Sequence, residues 1–368
     1  MIYNKENMKT LFVFNHPAPY KVHVYNKLNQ LTDIQVVFER RKAKDRPDSF
    51  YGENEYKFPV IFLKHGSFAN ENSCSGELKN YIKKHHQKYD LIVMNGYSTI
   101  AEMKAIRYMV KHNIPYVLQI NGGIIKKDKR WKAKLKTYYI SHADKYFSPC
   151  TEADKYLIHY GAKEDKILHY PYGNYFAKEI IDRPLSNEEK LVIRKKWNLP
   201  EGPLFVNASQ FIERKNNMEL ISIFKNRKES LLLIGSGKEK SKYEEYIKEN
   251  DIKNIHIMDF QKKNDLFEIL KSCDYFITLS AEDIFGHTTL EAMANGLPVI
   301  SSNRVVSSLD IIKDGENGFL VDITNRDSII SAINKVKPEM SKSAIEMAKN
   351  NTIEKSAETL FSLLEASK

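Results

Sequence analysis

The sequence predicts an α/β protein made of two doubly wound, Rossmann-like domains, and three observations lead there. Short apolar runs of four or five residues recur along the chain and alternate with longer stretches of helical spacing, the pattern of parallel strands covered by helices. The 368 residues exceed one ordinary hydrophobic core and suffice for two. Residues 280–302, SAEDIFGHTTLEAMANGLPVISS, supply one complete winding unit. There an apolar strand over 275–279 ends in an acidic turn bearing Gly286, and Leu290 and Met293 follow at helical spacing. Asn295-Gly296 and Pro298 stop that helix, and Val299-Ile300 begin the next strand.

Composition narrows the class. With 42% apolar and 11% aromatic residues and no low-complexity tract, the whole chain should be globular. No apolar run approaches the ~20 residues of a membrane span, and residues 11–14 are too short for a signal peptide, so a cytoplasmic protein is expected. Cys74, Cys150 and Cys273 are unevenly spaced and fit no metal motif, which suits packing residues in a reducing compartment. The net charge of +10 is lopsided: residues 1–185 hold 31 Lys and Arg against 19 Asp and Glu, whereas the remainder holds 26 against 28. An anionic partner or surface is therefore expected on the N-terminal side.

In the first half, residues 11–14 form a strand that breaks into Asn15-His16-Pro17-Ala18-Pro19-Tyr20. Two prolines argue for a loop there, with a helix over 22–31. The Gly-x-Gly-x-x-Gly of a dinucleotide-binding turn is missing, which argues against a dehydrogenase. His16 is a candidate substrate contact, or else a structural loop histidine. Strands are expected at 35–38, 60–63, 91–94, 116–120 and 146–148, with helices over 76–89 and 99–112 between them. Residues 40–47, RRKAKDRP, read as an exposed basic loop facing a substrate or solvent. Residues 126–136 carry seven Lys or Arg, the first Lys126 and the last Lys136. A helix setting Ile125, Trp131, Leu135 and Tyr138 beside that cationic face would suit an anionic bilayer, and a solvated helix packed on its own sheet is the plainer alternative. No nucleic-acid recognition motif accompanies the charge.

In the second half, a helix over 187–197 precedes a strand over 204–208 and the polar turn Ser209-Gln210-Phe211-Ile212-Glu213-Arg214-Lys215-Asn216. Strands at 231–234 and 255–258 lead into Gly235-Ser236-Gly237 and Phe260-Gln261-Lys262, and a helix over 265–272 follows. The segment 310–321 closes the sheet, and residues 341–368 read as helical. In a winding unit the helix N-terminus sits at the carboxyl edge of the sheet with free N–H groups, which suits a phosphate near Gly286, His287 and Thr288. Thr288 and Glu291 also fit a capping box, a purely structural role.

Asp283, Phe285-Gly286, Glu291 eight positions after Asp283, the run Ala-Met-Ala-x-Gly-x-Pro-Val-Ile and Asn317-Gly318-Phe319-Leu320 together resemble the nucleotide-sugar site of retaining GT-B glycosyltransferases of family 4, the glycosyl transferases group 1. The usual pattern in that family is Glu, seven residues, Glu; this chain has Asp283 first, with Glu282 beside it. The resemblance is specific over 200–322 and architectural over 1–185. It implies the GT-B fold, two Rossmann-like doubly wound domains facing a cleft: residues 1–185 on the acceptor side, 186–340 binding the nucleotide sugar, and 341–368 a C-terminal helix returning toward the first domain.

The resemblance also implies roles. Arg214 and Lys215 would hold the donor diphosphate, helped by the turn at Gly286, His287 and Thr288, and Gly235 belongs to a similar Gly-x-Gly. Gln261 lies where the nucleotide base is held, Glu291 would take the ribose hydroxyls and Asp283 those of the donor sugar. Where relatives have a histidine near the reacting sugar, this chain has Asn121-Gly122-Gly123, and Asn121 is the nearest candidate. The implied activity is metal-independent hexosyl transfer with retention, from a UDP-linked sugar to a glycan or lipid-linked acceptor, in bacterial cell-surface polysaccharide assembly at the inner face of the membrane. The nucleotide sugar is a substrate, and no cofactor, metal or nucleic acid is expected. A non-catalytic GT-B accessory subunit and a nucleotide-sugar epimerase of the same fold are the alternatives. The transferase reading requires Lys215 and Gly286 to face one site.

Overall fold

A computed structural model describes residues 8–43, 51, 55–63 and 76–367. Two compact units divide the chain, residues 1–174 with 352–368, and residues 175–351. The sequence and the resemblance place these boundaries at 185 and 340. Each unit is a parallel sheet wound with helices, the two-domain Rossmann-like architecture expected.

The first unit contains β1 (Lys9–Phe14), α1 (Pro19–Leu31), β2 (Asp33–Phe38), β3 (Val60–Phe62), α2 (Glu77–His85), β4 (Leu91–Met94), α3 (Ile100–Lys111), β5 (Val117–Gln119), α4 (Arg130–Ser141), β6 (Lys145–Ser148), α5 (Thr151–His159) and β7 (Ile167–His169). Its sheet runs β3-β2-β1-β4-β5-β6-β7, every pairing parallel. The central strands are apolar run after apolar run because helices bury both their faces; Leu11, Phe12 and Val13 are fully buried.

Three expectations for this unit are corrected. Helix α1 starts at Pro19 rather than residue 22. Proline at the first helical position loses only an N–H that would lack a partner anyway, so it starts the helix instead of excluding it. Residues 40–47 do not begin as an exposed loop: Arg40 and Ala43 are buried, and the Arg41 guanidinium lies 4.3 Å from the centre of the Phe62 ring. Residues 44–47 lie outside the described residues, as does Cys74. The cationic stretch is helical only from Arg130, so Ile125 and Lys126 precede α4. Its last cation, Lys136, is tied by a 2.7 Å ion pair to Asp128, whose carboxylate also accepts from the Tyr160 hydroxyl.

The second unit contains α6 (Asn187–Lys196), β8 (Leu204–Ala208), α7 (Asn217–Phe224), β9 (Ser230–Ile234), α8 (Lys240–Glu249), β10 (Ile255–Met258), α9 (Lys263–Ser272), β11 (Tyr275–Thr278), α10 (His287–Ala294), β12 (Val299–Ser302), α11 (Ser308–Ile311), β13 (Gly318–Val321), α12 (Arg326–Lys335) and α13 (Ser341–Lys349). The sheet order is β10-β9-β8-β11-β12-β13, again all parallel. Phe205, Leu233 and Ile277 from the strands pack with Leu220, Phe224 and Ile333 from the helices in one core, and each such side chain contributes ~1.5–3 kcal/mol.

Arg194 ties α6 to this sheet. Its guanidinium donates to the carbonyls of Ser272, Glu201 and Gly202 and to Asp274, each at 2.8 Å. Burial alone would raise the Asp274 carboxyl, but the Lys190 and Arg194 charges and the Leu204 N–H hold it below its usual value. Cys150 and Cys273 are both buried, and burial pushes the Cys273 thiol up to about 12.

The C-terminal segment splits between the units. Helix α13 stays in the second, where the Tyr175 hydroxyl donates to the Ala348 carbonyl at 3.0 Å. Helix α14 (Ile353–Glu365), capped by Thr352, belongs to the first. There the Ser356 hydroxyl donates to the Pro171 carbonyl at 2.6 Å and accepts from the Gly173 N–H at 3.2 Å.

Candidate functional site

The second sheet grows outward from β8 in one direction and then, from β11, in the other. Loops leaving the carboxyl ends of β8 and β11 therefore part, and such a reversal is where doubly wound sheets hold ligands. The loop after β8 is built by a buried relay of polar side chains. Asn207 Nδ2 donates to the Ile277 carbonyl at 2.7 Å, Ser209 Oγ to Asn207 Oδ1 at 2.7 Å, and Asn217 Nδ2 to Ser209 Oγ at 3.2 Å. Buried Phe211 anchors the middle against Tyr243. Glu213–Lys215 then make a single 3-10 turn, closed by Asn216 at φ 55°, a left-handed conformation that Asn tolerates. Gly235 packs directly over this loop: a Cβ there would lie 1.9 Å from the Ser209 carbonyl oxygen, so only glycine fits.

The loop after β11 is bound to the first. Ala281 N–H donates to the Arg214 carbonyl at 2.8 Å, Arg214 Nη1 donates to the Glu282 carbonyl at 2.9 Å, and the Lys215 ammonium pairs with the Asp283 carboxylate. The loop after β12 holds Asp283 from the other side, by Asp283 N–H to the Arg304 carbonyl and Val306 N–H to the Asp283 carbonyl, both 3.1 Å. The Ser307 hydroxyl donates to the Phe285 carbonyl. Gly286, at φ 85°, starts α10, and a Cβ on it would meet Val305 Cγ1 at 2.3 Å.

That glycine corrects the capping expectation. Because Gly286 itself is the N-cap, Thr288 is the second helical residue and Glu291 the fifth, so they do not form a capping box. Gly286 itself has no side chain with which to cap α10, and the positive end of the helix dipole lies at the carboxyl edge of the sheet. Lys215 and Gly286 thus share one site: the lysine's partner lies three residues before the glycine.

Other predicted residues fall along the same edge. His287 opens α10 with its ring packed on Phe285, at 4.8 Å between centroids. Glu291 is half-buried, and its charge adds to burial in raising the pKa of the Tyr175 hydroxyl well above the ordinary value. Gln261 follows β10, two strands from β8, and its amide donates to the Asp259 carbonyl at 2.9 Å. Sequence reasoning missed Asn207, Asn217, Val305 and Ser307, which position this site. Two Asn flanking a polar turn are a faint signal for the first pair; the others carry none.

His16 and Asn121 lie in the first unit, after β1 and β5, with β4 between those strands. His16 Nδ1 is 3.2 Å from the Tyr51 hydroxyl, with its ring edge-on to Tyr51. Asn121 Oδ1 is buried and has no hydrogen-bond partner among the described residues. Near them Lys21 is 2% exposed, its ammonium 3.4 Å from Asn95 Oδ1 and 4.6 Å from the centre of the Tyr172 ring. Burial lowers its pKa from 10.5 to about 7. On α4, Trp131 is 61% exposed and Ile125 just before the helix is 46% exposed. Among the described residues no three His, Cys, Asp or Glu side chains could hold a metal ion, and no helix is long and apolar enough to cross a membrane.

The chain is similar to an uncharacterized glycosyltransferase of Methanocaldococcus jannaschii, MJ1178, at 28% identity over 170 residues, 43% of this chain and 48% of that protein. The match thus spans about half the length of that relative. It is 23% identical over 278 residues to the O-antigen biosynthesis glycosyltransferase WclY of Escherichia coli, 68% of this chain and 72% of WclY. Its fold is shared with HepE of Anabaena, solved in complex with UDP, at TM-score 0.79 and 15% identity, covering 98% of this chain and 100% of that one. Residues 189–353, somewhat under half of the chain, carry Arg214, Lys215, Asp283, Gly286 and Glu291 and match the family model described as Glycosyl transferases group 1.

Proposed function

We propose that the protein transfers a sugar from a nucleoside diphosphate sugar, UDP-linked, to a glycan or lipid-linked acceptor with retention of configuration, in bacterial cell-surface polysaccharide assembly. The observation that carries this reading is the meeting of the Lys215 ammonium with the turn that opens α10. A leaving nucleoside diphosphate gathers negative charge on its outer phosphate. An enclosed ammonium, the Arg214 guanidinium and a helix N-terminus are groups that stabilise such charge without a metal.

On this reading Glu291 takes the ribose hydroxyls, Asp283 the sugar hydroxyls and Gln261 lies beside the base, while His16 and Asn121 belong to the acceptor side. The name of WclY and the UDP held by HepE favour the same substrate class. The cationic surface of α4, with its exposed Trp131, suits the inner face of an anionic membrane, where a lipid-linked acceptor would reside.

A thermal-shift screen of nucleotide sugars, followed by transfer assays with the stabilising donor, tests the proposal. Lys215→Ala is expected to lower turnover ~100-fold, the scale of losing one charge-assisted contact to a leaving group. Activity should persist in EDTA, and NMR of the product should show the donor's anomeric configuration. A folded protein that neither binds nor consumes any nucleotide sugar would instead favour a non-catalytic accessory subunit.

A further inference from the structure

Resting on that reading of the site, we propose that the Lys215–Asp283 ion pair is a latch by which the protein selects an intact nucleotide sugar over the free nucleoside diphosphate. The two side chains are mostly enclosed, at 11% and 18% exposure, and among the described residues neither has another charged partner within 4.0 Å. Both main chains are fixed around them. Lys215 N–H donates to the Ile212 carbonyl at 2.9 Å, and Asp283 is hydrogen-bonded through both its N–H and its carbonyl to the loop after β12. The ammonium can therefore change partner by side-chain rotation alone.

A diphosphate that draws the Lys215 ammonium away leaves the Asp283 carboxylate without its counter-ion in a largely water-excluded position, and an uncompensated enclosed charge is costly. What happens next depends on the ligand. An intact donor carries sugar hydroxyls just beyond its outer phosphate, and these O–H groups can donate to Asp283 in place of the lost ammonium. The free diphosphate offers no such donor, and its outer phosphate adds negative charge beside the same carboxylate. The pair thus penalises the leaving product while tolerating the substrate. Its role differs from a plain sugar contact, since it acts on ligands that contain no sugar.

Calorimetric titration of the full chain with UDP and with the UDP-sugar that stabilises it tests the latch, comparing wild type with Asp283→Asn and Asp283→Ser. Wild type is expected to prefer the sugar nucleotide by roughly tenfold, the effect of one unpaired enclosed carboxylate. In both variants UDP itself should bind about tenfold more tightly and the preference should fall to within about twofold. UDP affinity that is unchanged or weaker in the variants, with only the sugar nucleotide losing affinity, would reduce Asp283 to a sugar contact and overturn the latch. Wild-type protein without the preference overturns it as well, whether or not the variants fold. Failure of wild type to bind any nucleotide is a separate result that removes the transferase reading itself.

Discussion

Replacing Lys21 by Met removes the buried ammonium while keeping most of the volume of its stem. Burial lowers the Lys21 pKa from 10.5 to about 7, a difference of ~5 kcal/mol between the folded and unfolded settings of the charge. The sign follows from proton counting. Below pH 7 both states hold the proton and the full cost of the buried charge is present. Between pH 7 and 10.5 only the unfolded state holds it, so this group's contribution to stability rises with pH. Against the relief must be set the loss of the 3.4 Å bond to Asn95 and of the ring contacts with Phe14, Tyr170 and Tyr172, together ~1–2 kcal/mol. Lys21→Met should therefore stabilise the protein by ~3 kcal/mol at pH 6 and by ~1 kcal/mol at pH 9, where the folded lysine is already neutral and only its hydrogen bond is lost. Urea denaturation of both proteins across that range measures the difference. Parallel stability curves, or a wild type that is the more stable at pH 6, would refute the claim that the enclosed charge is destabilising.

Three further outcomes test the site and the surface. Gly286→Ala forces a side chain into a left-handed backbone and against Val305; it should cost ~1–3 kcal/mol and weaken UDP binding at temperatures where the variant remains folded, read by thermal melts with and without UDP. Substituting Lys127, Lys129 and Lys132 by Gln should lower partitioning onto vesicles rich in anionic lipid by ~100-fold, at ~1 kcal/mol per cation. Trp131→Ala should weaken the same binding, and equal binding of wild type to neutral vesicles would count against a charged surface as the cause.

The strands were the most legible part of the sequence. Those over 91–94, 204–208 and 255–258 lie where they were expected, since short, mainly apolar runs mark strands packed under helices even where one polar residue, Asn207 or His256, interrupts them. Helix starts were less legible because one residue's backbone freedom sets them. Pro19 begins α1 where a proline suggested a loop, and Gly286 moves the start of α10 two residues ahead of the cap that Thr288 and Glu291 suggested. The candidate site followed the same division. The types and spacing of Arg214, Lys215, Asp283, Gly286 and Glu291 were visible, but not the relay from Asn207 through Ser209 to Asn217 that fixes their loop. Burial of Lys21 and Arg40 was also hidden, since a charged residue in an amphipathic or basic stretch reads as solvated unless its surroundings are known.

By itself the sequence determined the local grammar: which runs are strands, which turns require glycine, and which acids and bases border a helix start. Those properties depend on neighbours within a few residues. Only the tertiary structure decided that Lys215 and Asp283, 68 positions apart, neutralise one another. Their pairing depends on β8 and β11 lying side by side at the reversal of the sheet, and strand order is set by the packing of whole elements rather than by any local pattern of residues.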